Sequence, residues 1–365
     1  MTAGRGATEK PTRESADAGR SVRAVGHTVR LSETIGTTQQ LPLSLGLPND
    51  LEVAMRRVRF YQYGGPEVLR LEQAPTPEPG PGELLVQTEA IGVTLPSVRK
   101  VRGEGDRAPL PGVLGGEIAG QVIAVGPQVV GFTVGDRVTS LPFTGSYADV
   151  VLAPIHTASR IPDDASCVQA VALIRSGHVA LAALWTANVT PTESVLITGA
   201  ASGVGHLAVQ LAKIQGVKRV VAAVSSPDKA TFLRRLGADE VVVYGSDNWG
   251  DPVDVVLDGV GGELLPRSIA ALRAGGRLIF FNSGGGTVPA FDLLAGSKTI
   301  TGLTMARFAT ARRELYDHHH ERLWQLHQTG QLRAVVHAEI PLSNAASAHE
   351  IIEARANLGK VVLRP

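Results

Sequence analysis

The stretch VLITGAASGVGHLAVQLAK, residues 195–213, limits what this chain can fold into more than any other. An apolar run reads as a buried strand, small residues make a turn, and the apolar spacing after the turn is helical. Small residues let a backbone approach a pyrophosphate, and the helix start offers N–H groups at the positive end of its dipole. Measured against G-x-G-x-x-G, the three glycine positions hold Ala200, Ser202 and Gly205, so the strand–turn–helix context carries the reading rather than the spacing. That context extends over residues 193–304. RVVAAVS, EVVVYG, DVVLDGV and RLIFFNSGG read as strands, with SPDKATFLRRLGA and LLPRSIAALRAGG as helices between them. Such alternation predicts a doubly wound parallel sheet that binds a nucleotide, against the plainer alternative of a tight strand–helix turn.

The kind of nucleotide is read from the next strand. RVVAAV ends at Ser225 and Ser226, where an NAD site wants an acid for the ribose hydroxyls. No acid stands at that tip. Lys229 follows and could pair with a 2′-phosphate, with the two serine hydroxyls as donors, so NADPH is favoured over NADH. Asp228 counts against this, although it falls on the first turn of the following helix. Lys229 also reads as a plain surface residue of that helix.

Before residue 160 the chain breaks into short strands between Gly and Pro: PTPEPGPGELLVQTEAIGV, GGEIAGQVIAVG, GDRVTSL and SYADVVLAP. They predict a compact, barrel-like β domain. DDASCVQAVALIRSGHVALAALW is a long apolar helix, and after 305 come one long helix, a strand, a helix and a last strand, KVVLRP. Residues 1–54 lack sustained periodicity and read as a disordered extension, with LPLSLGLPNDLEVAM as a segment that could order and Met55 as a plausible natural start. GVTLPSVRKVRG, 92–103, reads as a loop-like run that turns abruptly basic. A net charge of +1 gives no electrostatic case for nucleic acid, and the single Cys167 excludes a disulfide framework or a multi-cysteine zinc site. No apolar run approaches the ~20 residues that span a bilayer, so a cytoplasmic protein with a small-molecule substrate is expected. His318–His320 are adjacent in a helix and point around it, which predicts a solvated face rather than a metal site.

The order of these elements, with GGPEVLRLEQAPTPEPGPGELLV, GGEIAGQVIAVG, GFTVGDRV, GSYADVV, GAASGVG, LGADEVVVY, DVVLDGVGG, GGRLIFFNSGG and GKVVLRP, resembles the medium-chain dehydrogenase/reductase superfamily over residues 55–365. The nearest branch is the zinc-free quinone oxidoreductases and enoyl reductases. The resemblance implies a GroES-like catalytic domain over 55–176 and 306–365, and a Rossmann NADPH-binding domain over 177–305. It places Ala201, Ser202, Gly203 and Val204 at the pyrophosphate, and Ser225, Ser226, Lys229 and Tyr244 on the adenosine-phosphate side. Gly259, Val260, Phe281, Asn282 and Ser283 would run toward the nicotinamide, although Val260 and Phe281 read equally as strand core. It also implies a homodimer through edge strands of the nucleotide domain, with KTITGLTM as the candidate. Where zinc-dependent relatives hold their ligands, this chain has Thr94, Gly116 and Arg175, none of which supplies the expected N or S atom.

The substrate side departs from the resemblance. Zinc-free relatives usually have Asn at the Thr94 position, Tyr at Arg99 in several reductases, and Thr at Val179. The residues present still suit hydride transfer from NADPH to an enone or enoyl β-carbon, with a carboxylated natural-product intermediate as one candidate substrate. Thr94 could donate a hydrogen bond to the enolate, and Arg99 and Arg175 could stabilise it or clamp a carboxylate. Arginine cannot be the general acid, so His178, water or another hydroxyl would supply the proton. His178 reads equally as a packed helix histidine, and each arginine as a structural ion-pair partner. A quinone reductase, a nucleotide-binding sensor and a nonredox catalyst on the same fold remain alternatives.

Overall fold

Six parallel strands form one of the two large sheets, in the order Glu240–Val243, Arg219–Val224, Ser194–Thr198, Val253–Asp258, Leu272–Phe280 and Thr299–Gly302. The computed structural model describes residues 54–365 except 106, 108 and 143, and the expectations for residues 1–53 lie outside that range. Numbered along the chain, the six strands stand 3-2-1-4-5-6, the Rossmann arrangement. Their unbroken apolar runs are explained by cover on both faces: Val195, Leu196 and Ile197 are all fully buried. The order reverses between Ser194–Thr198 and Val253–Asp258, which opens a crevice at the carboxyl ends of the strands.

The second large sheet takes strands from both sides of this unit. Its order is Val336–Pro341, Lys360–Arg364, Glu83–Gly92, Ile118–Val125, Arg137–Ser140 and Ser159–Arg160, with Val150–Pro154 also paired to Glu83–Gly92. Leu69–Pro75, Ala54–Phe60 and Gly112–Val113 make a third, small sheet. This is the β-rich GroES-like part. One glycine is sterically required in it: a Cβ on Gly120 would lie 1.9 Å from the Gln87 carbonyl oxygen.

The helices are α1 (Leu95–Arg102), α2 (Cys167–Ala187), α3 (Gly205–Ile214), α4 (Ala230–Arg235), α5 (Leu265–Ala270), α6 (Ala290–Ala295), α7 (Met305–Ala311), α8 (Arg313–Gln328) and α9 (Ala345–Glu353). Three depart from the sequence reading. The basic run is not a loop: α1 is started by Thr94 as N-cap and Pro96 in its first turn, and stopped by Gly103 at φ 71°. Its Arg99, Lys100 and Arg102 crowd the last turn, where cations suit the helix dipole. The expected long helix after 305 is two, broken at Arg312 (φ −139°, ψ 55°). His318 is exposed, but His319 is buried and His320 partly so, because that side of α8 faces α2.

Helix α2 corrects a further expectation. It is long and apolar enough to cross a membrane by length and composition, yet 83% of its apolar window is buried inside the protein. It packs on α3, α8 and the Glu83–Gly92 strand, so it is apolar on every side because every side is covered. A capping box starts it: Gln169 N donates to Ser166 Oγ at 3.1 Å and Ser166 N to Gln169 Oε1 at 2.8 Å. The helix runs unbroken through residues 176 and 177, so one element serves both sheets.

Five buried or half-buried histidines link the fold to pH. Burial pulls His206, His319, His320 and His349 down to about 4, and pulls His178 well below the usual imidazole value. The unfolded chain takes up these protons as pH falls through about 6.5, whereas the native chain resists until near 4. The unfolded state therefore binds more protons in that window, and stability falls as pH falls. Thermal unfolding followed by circular dichroism is expected to show the midpoint dropping steadily from pH 7 to 4.5. A flat profile over that range would contradict the burial described here.

Candidate active-site cleft

The crevice at the strand reversal widens into a cleft of about 500 Å³ lined by α1, the middle of α2, the turns after the parallel strands, and the Lys360–Arg364 strand. Its floor is the turn between Ser194–Thr198 and α3. Gly199 sits at φ +63°, and its N–H donates to Tyr244 Oη at 2.7 Å. Burial pushes the Tyr244 hydroxyl up to about 12, so it stays protonated. Gly205 allows the helix to start against the strand: a Cβ there would meet the Gly199 oxygen at 2.2 Å. No side chain caps Val204 at the N-terminus of α3. Ala201, Ser202, Gly203 and Val204 all line the cleft beside it, so backbone donors and the positive end of a helix dipole face the place where a pyrophosphate would lie. The chemistry of this donor set fits a dinucleotide.

Two strand ends are tied together next to this turn. Thr198 Oγ1 donates to the fully buried Asp258 at 2.7 Å, and the N–H groups of Val260 and Gly261 reach the same carboxylate oxygen at 3.0 and 3.1 Å. Asn282 Nδ2 donates to Asp258 O at 3.2 Å, and Gly284 N donates to Asn282 Oδ1 at 2.6 Å. Gly259, Val260, Phe281, Asn282 and Ser283 are thereby brought to one end of the cleft, all lining it.

The other end holds Ser225, Lys229, Tyr244 and Arg355. Lys229 is buried, its Nζ donates to the Arg355 carbonyl oxygen, and burial lowers its ammonium below the usual lysine value. Ser226 does not line the cleft; its hydroxyl is taken by Asp228. Two carboxylates border the cleft, Glu104 and Glu353, and each is paired to an arginine of α1: Arg99 with Glu104 at 3.5 Å and Arg102 with Glu353 at 2.6 Å. Arg355 was not legible as a site residue. It follows α9, more than a hundred residues from Lys229, in a left-handed conformation (φ 52°) that no local motif announces.

On the substrate side the four expected residues fare differently. Arg99 spans the cleft, with Nη1 donating to Ser283 Oγ at 3.2 Å. Thr94 borders the cleft, but its proton is committed. Ser97 Oγ donates to Gly115 O at 2.9 Å, so in the 3.1 Å contact between the hydroxyls Thr94 is the donor. His178 does not face this cleft. It lies outside the cleft lining, and its ring stacks on Tyr316 with centroids 3.9 Å apart.

Arg175 belongs to a buried cluster that the sequence did not reveal. Lys360 Nζ donates to Glu117 Oε1, and Arg175 Nη1 lies 3.5 Å from Glu117 Oε2. Glu117 and Lys360 are both almost fully buried, and Arg175 keeps 27% of its side chain exposed. Burial pushes the Glu117 carboxyl up, but the Lys360 and Arg175 charges outweigh it and hold it below the usual carboxylate range. Burial lowers the Lys360 ammonium against the opposing pull of Glu117. Two cations thus share one carboxylate, and the unmatched positive charge sits at the cleft. The positions expected to hold zinc ligands are Thr94, Gly116, which precedes Glu117, and Arg175, which pairs with Glu117. The donor set at these three positions is a hydroxyl, no side chain and a guanidinium, which does not suit zinc. Among the described residues, no three His, Cys, Asp or Glu side chains gather as a metal site.

Comparisons with known proteins agree with this geometry. Residues 80–163 match the alcohol dehydrogenase GroES-like domain, and residues 236–363 match a family described as zinc-binding dehydrogenase. A quinone oxidoreductase of Pseudomonas aeruginosa is 33% identical over 325 residues, covering 85% of this chain and 99% of that protein. A 2-haloacrylate reductase of a Burkholderia species is 31% identical over 329 residues, covering 84% and 98%. The crystal structure of Escherichia coli quinone oxidoreductase complexed with NADPH superposes with a TM-score of 0.80 at 31% identity, covering 85% of this chain and all of that one.

Removing the shared carboxylate leaves two cations unpaired in the interior. Glu117→Gln is expected to cost about 3–5 kcal/mol in urea unfolding, whereas Glu117→Gln combined with Lys360→Met should recover part of that loss. Equal costs for the single and double variants would refute the pairing.

Proposed function

Because this chain belongs to the quinone-oxidoreductase-like branch of the medium-chain dehydrogenase/reductase superfamily, we propose that it is an NADPH-dependent reductase of activated carbon–carbon double bonds. The observation that carries this reading is the buried Glu117–Lys360–Arg175 cluster, which keeps one positive charge unmatched in the wall of the cleft. Reduction of an enone places a new negative charge on the carbonyl oxygen, and a fixed cation in a water-poor site is what stabilises it.

NADPH, when bound, supplies the hydride from its nicotinamide ring. The turn at Ala201–Val204 would hold the pyrophosphate, and Lys229, Arg355 and the Tyr244 hydroxyl would hold the 2′-phosphate at the far end. Val260, Phe281, Asn282 and Ser283 would border the nicotinamide. Arg175, braced by Glu117, would meet the substrate oxygen, and Arg99 would close the cleft by its contact with Ser283. With Thr94 bonded to Ser97 and His178 outside the cleft lining, the proton is assigned to water entering the cleft. The 2-haloacrylate reductase relative supports an unsaturated acid or carbonyl compound as substrate. Quinone reduction is the second reading, favoured by the Pseudomonas and Escherichia relatives.

We also assign a homodimer to the Thr299–Gly302 edge strand. It is an unpaired edge of the parallel sheet, and Ile300, Phe291 and Leu294 are exposed beside it. Ile300→Asp should then move the protein from dimer to monomer in sedimentation velocity, and a wild type that sediments as a monomer removes the assignment.

The enzymatic reading is tested by following NADPH oxidation with methyl vinyl ketone. Arg175→Ala should lower kcat by roughly 10²–10³ with NADPH affinity unchanged. Lys229→Ala together with Arg355→Ala should erase the preference for NADPH over NADH. If NADPH binds and no unsaturated carbonyl compound is reduced, the reading is wrong.

A further inference from the structure

Six residues that line the cleft form a chain of contacts from one end of it to the other. Ser283 Oγ accepts from Arg99 Nη1 at 3.2 Å. One turn further along α1, Arg102 binds Glu353, the last residue of α9. Just past α9 the Arg355 carbonyl oxygen accepts from Lys229 Nζ. The middle of this chain, α1 and α9, belongs to the β-rich part. Both ends are anchored on the parallel-sheet unit, Ser283 beyond the Leu272–Phe280 strand and Lys229 beyond the Arg219–Val224 strand.

The three links differ in kind. In the middle, Arg102 Nε donates to Glu353 Oε1 at 2.6 Å and Nη2 to Oε2 at 2.7 Å. These side chains keep 44% and 24% of their surface exposed, and so open an ion pair adds little to stability. What its two parallel bonds fix is the position of α1 against α9. The anchor at Ser283 is a single bond to a neutral hydroxyl, and the exposed Glu104 draws on the same guanidinium at 3.5 Å. Glycine makes room for it: a Cβ on Gly284 would lie 3.1 Å from both Arg99 Nη1 and Nη2. At the Lys229 anchor the acceptor is a neutral carbonyl in a residue held at φ 52°. Burial lowers the Lys229 ammonium, and the nearby Arg355 charge lowers it further. An anion bridging these two cations replaces one neutral contact by charge-assisted bonds and fastens that anchor.

We propose that Arg102 and Glu353 are positioning residues: they carry the capture of the cofactor's 2′-phosphate by Lys229 and Arg355 along α9 to α1, and so seat Arg99 on Ser283 at the opposite end of the cleft. This rests on the 2′-phosphate assignment above and goes beyond it. A phosphate that takes no part in the chemistry then orders the far end of the cleft, so its binding energy acts on turnover as well as on affinity. A cofactor without that phosphate leaves α1 held by Arg102 and Glu353 to an α9 that is itself loosely anchored.

The test is amide hydrogen exchange of the full-length protein with saturating adenosine 2′,5′-bisphosphate, and with adenosine 5′-monophosphate as the ligand that lacks the 2′-phosphate. Neither carries the nicotinamide half of the cofactor. In the wild type the bisphosphate should slow exchange across residues 95–104 by about fivefold or more relative to the monophosphate. Glu353→Gln and Arg102→Gln should each still bind the bisphosphate in preference to the monophosphate, and each should lose that protection. The charge swap, Arg102→Glu together with Glu353→Arg, should regain it, which loss of an ordinary packing contact would not allow. Protection that is absent from the wild type with the bisphosphate bound, that survives in either single variant, or that the swap fails to restore overturns the relay and leaves the 2′-phosphate assignment standing. A wild type that binds the bisphosphate no more tightly than the monophosphate overturns both.

Discussion

The interior of this protein depends on one buried charge arrangement. Glu117 stands just before the Ile118–Val125 strand, Lys360 opens the Lys360–Arg364 strand, and Arg175 projects from the middle of α2. Desolvating a carboxylate and an ammonium is tolerable only because each is the other's partner. Once that pair is fixed, the positions of two strands and a helix are fixed with it. The cleft inherits its electrostatics from the same three residues, since the single carboxylate cannot neutralise both cations. Stability and chemistry here have a common origin.

Sequence reading recovered the features that are local. Branched apolar runs of five or six residues gave the parallel strands, and small residues at 199–205 gave the turn that faces the cleft. Fifteen of the residues singled out do border one cleft, from Thr94 to Ser283. Two residues escaped sequence reading for one reason. Arg355 and Lys360 matter through partners more than a hundred residues away, and no periodicity encodes such a meeting. Ser226 and His178 lie off the cleft, Ser226 with its hydroxyl donated to Asp228 and His178 with its ring stacked on Tyr316.

The α1 segment failed for a different reason. Its signals were present: a threonine cap, a proline in the first turn and a glycine at the end. Charge drew attention away from them. His319 and His320 show the converse, where polar composition suggested solvent although α8 needs one face against α2 and spends histidines on it. Residue type is a weak guide to exposure when the partner surface is itself rich in His and Tyr, as the stacking of His178 on Tyr316 shows.

The contact between Glu117 and Lys360 joins positions 243 residues apart in the chain. All six strands of the parallel sheet lie inside the loop that this contact closes. That sheet can assemble from neighbouring segments, whereas closing so long a loop is entropically slow and must wait for its second partner. The parallel sheet can therefore form early, and the unmatched charge at Arg175 acquires its setting only when Lys360 arrives.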